Sequence, residues 1–577
     1  MKTKLKTLIE QSLKHLGVPE GMIEVNLDHP NDEKYGDYST NAAMLLSKSL
    51  GASAKNPLEM AEKLAVAMRD ESKSSKQIEK IEAVPPGFVN IFLTRDFFAR
   101  SVVEVLEKAI WYGKNSKQWN KKVIIEYTDP NPFKPFHIGH LMSNAIGESL
   151  SRLLEFQDAK VVRSNYSGDV GLHIAKAIWG ILKHKDEFPQ DKKDVNAQIE
   201  FIGRAYVEGS AVYEEDKSAQ KEIQDLNKKI YDRSDPEVDE IYVWGKKISD
   251  EHFKDIYRKL GSIFDYYLYE SDMVEDGMHV VKAGLDRGVF EKSEGAIIFP
   301  GEKFGLHNRV FVNSQGLPTY ETKELGLTRR KFELHDFDQS IIITANEQND
   351  YFKVLKKVLE LIYPEIAERT VHIGHGMMRF ASGKMSSRRG NVITGESLLF
   401  DMEEMAAEKV KDRELSDTDK KSIAEKVAVA AIKFSILKNS IGKDIVFDPE
   451  KSISFEGDSG PYVQYTYVRA KSVLAKAKEE GIKANANKRP NDEISEAERL
   501  LYRFPEIVER AAEDRAPNYI ATYLTQLAAA FNSSYASTPI VVKDDPASAY
   551  RVALTEATSL VLKVGLWLLG IETPEKM

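Results

Sequence analysis

The chain of 577 residues contains no cysteine. Disulfides, thiolate zinc sites and iron–sulfur clusters are thereby excluded, and a reducing compartment suits the composition. No apolar run approaches the ~18 residues of a membrane span. The first residues, Met1 to Lys6, lead into an amphipathic pattern and not into an apolar signal core. A soluble, cytoplasmic protein is the expectation. Two common nucleotide fingerprints are also missing. No Gly-x-Gly-x-x-Gly occurs, which argues against a nicotinamide cofactor, and no Gly-Lys is followed by Ser or Thr, which removes a Walker A loop. Positive charge is in deficit: the formal net charge of -9 provides no general basic coat for nucleic acid. A local basic groove remains open, because steering follows a patch and not the total. There is no internal repeat, and no protein metal site is expected.

What is present is organised around one stretch, Ile124-Ile125-Glu126-Tyr127-Thr128-Asp129-Pro130-Asn131-Pro132-Phe133-Lys134-Pro135-Phe136-His137-Ile138-Gly139-His140. The β-branched run Val123 to Ile125 has the pattern of a buried strand. Pro130, Pro132 and Pro135 then forbid both strand and helix. Beyond His140, the residues Leu141, Ala145, Leu150, Leu153 and Leu154 recur at helical spacing, and Lys160 to Tyr166 reads as a second strand. A strand–loop–helix–strand unit results, with His137, Gly139 and His140 where the helix begins. A helix start exposes unpaired N–H groups and partial positive charge, which suits a phosphate. Gly139 would let a base or ribose approach the backbone, and the two imidazoles could donate to phosphate oxygens. The same tetrapeptide recurs at His372-Ile373-Gly374-His375, with no proline-rich loop before it and no helical pattern after it. That copy reads as an extended segment outside the site.

In chain order, residues 1–115 read as an amino-terminal α+β module, with helix patterns at Leu5–Leu16 and Pro57–Met68. Pro85-Pro86-Gly87 is a turn entering a strand, on which Phe88 and Asn90 share a face. They could stack on and hydrogen-bond an unpaired base. A core phenylalanine beside a turn-capping asparagine is the simpler alternative. Residues 116–390 alternate helix and strand patterns, the mark of a doubly wound parallel sheet, broken by a charge-dense helical insertion at about 185–260. Tyr320 and Glu324 lie four apart on a helical pattern and share a face. Asn346, Glu347 and Gln348 follow the buried strand Ser340–Thr344, where ligand-facing side chains sit in such folds. The region ends at Ser382-Gly383-Lys384-Met385-Ser386-Ser387-Arg388-Arg389-Gly390-Asn391, whose cations and hydroxyls suit a polyanion such as a triphosphate. Taken alone, that stretch is more simply explained as a solvated basic loop. Residues 391–450 form a helical connector, and 451–577 an all-α bundle.

The two motifs together, a first His-Ile-Gly-His and a later Lys-Met-Ser-Ser, resemble the class I aminoacyl-tRNA synthetases. Pro130-Asn131, Lys134-Pro135, Asn165-Tyr166-Ser167-Gly168-Asp169, Gly383 to Asn391, Phe455 to Tyr465 and Gly36-Asp37-Tyr38 narrow the resemblance to the arginyl-tRNA synthetase family. It implies a Rossmann-type catalytic domain, an amino-terminal tRNA-contacting module and a helical anticodon-binding domain. It implies ATP, with Mg²⁺ accompanying ATP and no fixed protein site for it, together with L-arginine and tRNA(Arg) as partners. A monomer is expected. By the same resemblance Lys134, His137, Gly139, His140, Lys384, Met385 and Ser386 would hold ATP, with His137, His140 and Lys384 catalytic. Asn131 would bind the amino-acid end, and Glu126, Tyr320, Glu324 and Gln348 would recognise arginine. Phe88, Asn90 and Arg388 would touch tRNA. The chain departs from the family pattern at Glu324, where aspartate is usual, and at Met142, where arginine is usual. Competing readings are a class I synthetase for glutamate or glutamine, and an inactive RNA-binding descendant of a synthetase.

Overall fold

The computed structural model describes residues 1–49, 56–191, 193–381, 393–487 and 493–577. They divide into two compact units. One comprises Met1–Gly113, Thr466–Ile507 and Gln526–Val564, the other Lys114–Tyr465, Val508–Thr525 and Gly565–Met577.

In the first unit, β1 (Tyr38–Thr40), β2 (Ile78–Val84) and β3 (Phe88–Leu93) form an antiparallel sheet in the order β1-β3-β2. The expected helices are present as Lys2–His15 and Pro57–Glu71. Their apolar faces, including Leu5, Ile9, Leu64 and Met68, close on Val89 and Ile91 of the sheet. Pro57 sits in the first helical turn, where its missing N–H has no partner to lose, and the Asn56 side chain accepts from Leu58 N at 3.1 Å. Buried polar pairs hold the later segments of this unit to the module. Tyr38 donates to Glu506 at 2.5 Å, and Arg95 pairs with Glu498 at 2.8 Å.

The second unit is built on β4 (Lys122–Glu126), β5 (Lys160–Ser167) and β6 (Tyr266–Tyr269), followed by a small antiparallel sheet of β7 (Glu291–Ser293), β8 (Ala296–Phe299) and β9 (Arg309–Val312). Strands β10 (Gln339–Ala345) and β11 (Thr370–His375) complete the main sheet. Its order is β11-β10-β4-β5-β6, and every pairing is parallel. Val123, Ile124 and Ile125 are buried, as a strand covered on both faces requires. The chain moves outward from β4 to β5 and β6, then returns to β10 on the other side of β4. The carboxyl ends of β4 and β10 therefore flank a topological switch point, where doubly wound sheets bind ligands. The fold class read from the residue pattern is the one observed.

The insertion between β5 and β6 contains the helices Val195–Glu215, Lys217–Asp232 and Pro236–Lys259. They share a core with Ile174 and Ile178, so the insertion is packed to the catalytic body through the helix Leu172–Lys183. Within the charge-dense stretch, Asp216 is a cap as well as a solvated charge: its carboxylate accepts from Ser218 N at 2.7 Å. Among the described residues no helix is long and apolar enough to cross a membrane.

Candidate active site

The helix Ile138–Phe156 begins directly after the proline-rich loop, with His137 as its amino-terminal cap residue. The His137 and His140 rings stack with centroids 3.4 Å apart. His140 Nδ1 accepts from the His137 backbone N–H at 3.2 Å. The neutral His140 ring therefore carries its proton on Nε2, leaving that N–H free to donate. Burial first, then His137 and Lys134, hold His140 well below the usual imidazole value; His137 is also lowered, by burial, Lys134 and His375. Two neutral donors beside a helix start and Lys134 suit developing negative charge on phosphate oxygens. A Cβ added at Gly139 would lie 3.1 Å from the His137 ring, so glycine here gives room to the imidazole itself.

The second tetrapeptide forms the end of β11, extended as expected. It is nevertheless not remote from the crevice. His375 is buried, held neutral by that burial, and near enough to His137 and His140 to disfavour their protonation, while His372 stacks on Phe352 with centroids 3.9 Å apart. The parallel register that sets β11 beside β10 brings His375 opposite Ala345, at the strand end that faces the switch point.

At the end of β4, Glu126 is buried and lies 3.0 Å from Lys331, itself only 1% exposed. Glu324 is also 1% exposed, and its Oε1 has no hydrogen-bond partner. Burial and then the neighbouring Glu126 push the Glu324 carboxyl up to about 8. Tyr320, one helical turn earlier, keeps 44% of its surface exposed. Gln348 ends the short turn after β10 and is half-buried. Asn131 Oδ1 accepts from Gly168 N at 2.9 Å. A Cβ on Gly168 would meet Asn131 Oδ1 at 2.7 Å and Glu270 Oε1 at 2.9 Å, so only glycine lets these polar groups converge.

Several of these residues were not singled out from the sequence. Lys331 lies two helical turns after Glu324 on the same helix and pairs with Glu126 across to β4. Glu270, ion-paired with Lys323, follows Tyr266-Tyr267-Leu268-Tyr269, an aromatic strand whose carboxyl end marks it. Asp169 is wholly buried and accepts from Tyr242, Lys246 and Ser271. Beside it opens a cleft of about 690 Å³, lined by Tyr231, Tyr242, Lys246, Asp250 and Ser271 among others. Met142 is buried in the helix Ile138–Phe156, an apolar contact where the family pattern has a cation. Lys384, Met385, Ser386 and Arg388 lie outside the described residues. In the first unit, Phe88 is 36% exposed, but Asn90 is buried and its amide oxygen takes the Ser39 hydroxyl at 2.7 Å. The two share a strand face by period, but only Phe88 offers a substantial surface.

A parallel sheet with imidazoles at one lip of its switch point and buried carboxylates at the other suits an enzyme that handles a nucleotide and a small organic cation. Comparison with known proteins supplies the family. Residues 101–449 match the family described as tRNA synthetases class I (R), catalytic domain. Residues 463–577 match the DALR anticodon binding domain, and residues 3–93 the arginyl tRNA synthetase N terminal domain. The arginine–tRNA ligase of Fusobacterium nucleatum is 34% identical, over 100% of this chain and 99% of its own. That of Halothermothrix orenii is 32% identical over the same shares. Among solved structures, the Thermus thermophilus arginyl-tRNA synthetase shares the fold with a TM-score of 0.80 at 24% identity, covering 100% of both chains. The chain belongs to the arginyl-tRNA synthetase family of class I.

Proposed function

We infer that the chain catalyses the ATP-dependent ligation of L-arginine to tRNA(Arg) through arginyl-adenylate, releasing pyrophosphate and then AMP. The observation that carries the choice of amino acid is Glu324: among the described residues its buried Oε1 has no hydrogen-bond partner, while the lysines on its helix, Lys323 and Lys331, are paired with Glu270 and Glu126. A guanidinium has the planar fork of donors that such carboxylates accept. A neutral or acidic side chain would leave them unpaired at a cost of several kcal/mol, on the order of the penalty for a buried unmet charge. This favours arginine over the glutamate and glutamine alternatives.

The chemistry needs no protein nucleophile. The arginine carboxylate attacks the α-phosphorus of ATP, and the chain positions the two and stabilises the charge that builds on the phosphates. His140 Nε2–H, His137 and Lys134 act from the helix start, and Lys384 takes the role on pyrophosphate that the family pattern assigns it. Gly139 borders the nucleotide, and Met385 and Ser386 take the ATP-binding roles that the family pattern assigns them. Asn131 and Glu270 hold the α-amino end, while Glu126, Glu324, Tyr320 and Gln348 surround the side chain. Mg²⁺ enters with ATP. The 690 Å³ cleft beside Ser271, with Lys246 and Lys254 at its wall, suits the acceptor end of the tRNA. Phe88 and Arg388 are tRNA contacts in this reading, with Asn90 buried beneath the strand surface, and the enzyme works in the cytoplasm as a monomer.

The test is ATP–pyrophosphate exchange. It should require both arginine and tRNA(Arg). Exchange supported by glutamate, or none with any amino acid, overturns the reading.

A further inference from the structure

Two acceptor oxygens meet over the backbone of Gly168, just past the carboxyl end of β5. A Cβ there would lie 2.7 Å from Asn131 Oδ1 and 2.9 Å from Glu270 Oε1, and the bare glycine leaves that space open. Asn131 Oδ1 is fixed by the Gly168 N–H, which donates to it at 2.9 Å. Glu270 is fixed through its other oxygen. Oε2 is ion-paired with Lys323, and the Lys323 ammonium also donates to the Tyr231 hydroxyl at 3.2 Å. Among the described residues Lys323 bonds only Oε2, and no donor meets Glu270 Oε1.

The residues that fix this carboxylate come from three separate parts of the second unit. Glu270 follows β6, Lys323 lies in the helix Tyr320–Leu334, and Tyr231 stands near the end of the insertion helix Lys217–Asp232. Lys323 directly precedes Glu324, so the helix points the two side chains about 100° apart. Both charges of the Lys323–Glu270 pair are buried, with 4% and 3% of their surface exposed. Such a pair contributes little to stability, because desolvating two charges offsets much of their attraction. What it does fix is direction: a carboxylate pinned at one oxygen presents the other along a set line. Burial pushes the Glu270 carboxyl upward and Lys323 pulls it back, so the same cation opposes protonation of the acid. Tyr231 also lines the 690 Å³ cleft, and its hydroxyl carries the insertion's contact to the amino-acid end.

We propose that Lys323, anchored by Tyr231, is a positioning residue that holds Glu270 by Oε2 and so presents Oε1, beside Asn131, to the α-ammonium of arginine. This rests on the arginine reading above and adds to it a cation that the substrate never touches. It also gives the inserted helices a part in holding the amino acid. Loss of Lys323 weakens what depends on the α-ammonium. The guanidinium end, gripped through Glu126 and Glu324 in that reading, keeps its partners.

Two ligands that differ only at the α-ammonium isolate the effect: L-arginine and desamino-arginine, the guanidino acid without the α-amino group. ATP–pyrophosphate exchange by the full chain with tRNA(Arg) measures the KM of the first and the inhibition constant of the second. Lys323→Met should raise the KM for arginine about tenfold or more, the scale of a lost charge-assisted hydrogen bond, and move the inhibition constant by less than about twofold. Tyr231→Phe removes one hydroxyl and should act in the same direction by about threefold. Lys323→Arg keeps a cation beside Oε2 and should recover most of the affinity. Equal weakening of both ligands overturns the proposal, since a merely structural ion pair would behave so. An unchanged arginine KM in Lys323→Met overturns it as well. If Lys323→Met does not fold, Tyr231→Phe decides: a loss confined to arginine supports the role of Lys323, and any other result overturns it. In all these cases the arginine reading stands. No arginine-dependent exchange by the unsubstituted chain overturns that reading and the proposal together.

Discussion

A single methylene distinguishes Glu324 from the aspartate usual at its position, and its surroundings give that methylene consequences. The side chain starts from the same helix face as Lys331 and reaches the Glu126 carboxylate's neighbourhood, where no donor meets Oε1. Replacing it by glutamine removes a charge but keeps its volume. If it grips the guanidinium, Glu324→Gln should raise the KM for arginine by roughly a hundredfold or more, the loss of a buried charged pair costing about 3–5 kcal/mol. The KM for ATP should change little, and steady-state kinetics of exchange separate the two. His140 makes a different contribution. Its Nε2–H is left free because Nδ1 is held by the His137 N–H. His140→Ala should lower kcat by about 10²-fold, the scale for removing one oxyanion donor, while leaving arginine affinity intact. Legibility differed between these residues. His137 and His140 stood out because a helix start after a proline-rich loop is a chain-local feature, whereas Glu126, Asn131 and Tyr320 were named by the family resemblance. Glu270 and His375 did not stand out, because each comes from the end of a strand far from the histidine motif in sequence.

At the scale of elements, packing between β4 and the helix Ile138–Phe156 decides how precisely the histidines are held. A Cβ on Gly147 would fall 2.2 Å from the Tyr127 ring, and Tyr127 in turn donates to Glu148 at 2.7 Å. Glu148 is buried against Arg152 and Arg163, which hold it down to about 2 despite its burial. Gly147→Ala should therefore destabilise the second unit by about 1–3 kcal/mol through overpacking, seen as a lower denaturant midpoint. It should also depress kcat, since the displaced helix carries His140 at its start. The expected helices and strands of this unit were legible in outline from periodicity. The junctions were not, for a cap such as Asp216 looks like any surface charge until the helix direction is known.

For the whole molecule, the chain's last segment, Gly565–Met577, belongs to the catalytic unit. Lys433, fully buried, ties it there: Nζ donates to Leu260 O at 2.6 Å and to Gly570 O at 2.9 Å. Burial and then Arg152 pull this ammonium down to about 7. The unfolded chain thus binds the proton more tightly, and stability from this group rises as pH climbs from about 7 toward the ordinary lysine value. Lys433→Met should flatten that rise, which denaturation of both proteins across the alkaline range would reveal. A second expectation concerns tRNA. With a net charge of -9, binding must come from local cations, so tRNA affinity should fall steeply between low and physiological salt. A flat salt response would point to a partner without a phosphate backbone.

Residue order alone was enough for the doubly wound sheet, the helical insertion and the histidine-bearing helix start, because each follows from short-range periodicity and from where proline and glycine fall. Absent cysteine and absent dinucleotide fingerprints narrowed the chemistry in the same local way. The unpartnered oxygen of Glu324, the approach of His375 to the first histidine pair, and the burial of Asn90 were decided only by tertiary structure. Charge balance and access to solvent belong to neighbours in space, and those neighbours come from strands and helices that the chain brings together only when the sheet closes.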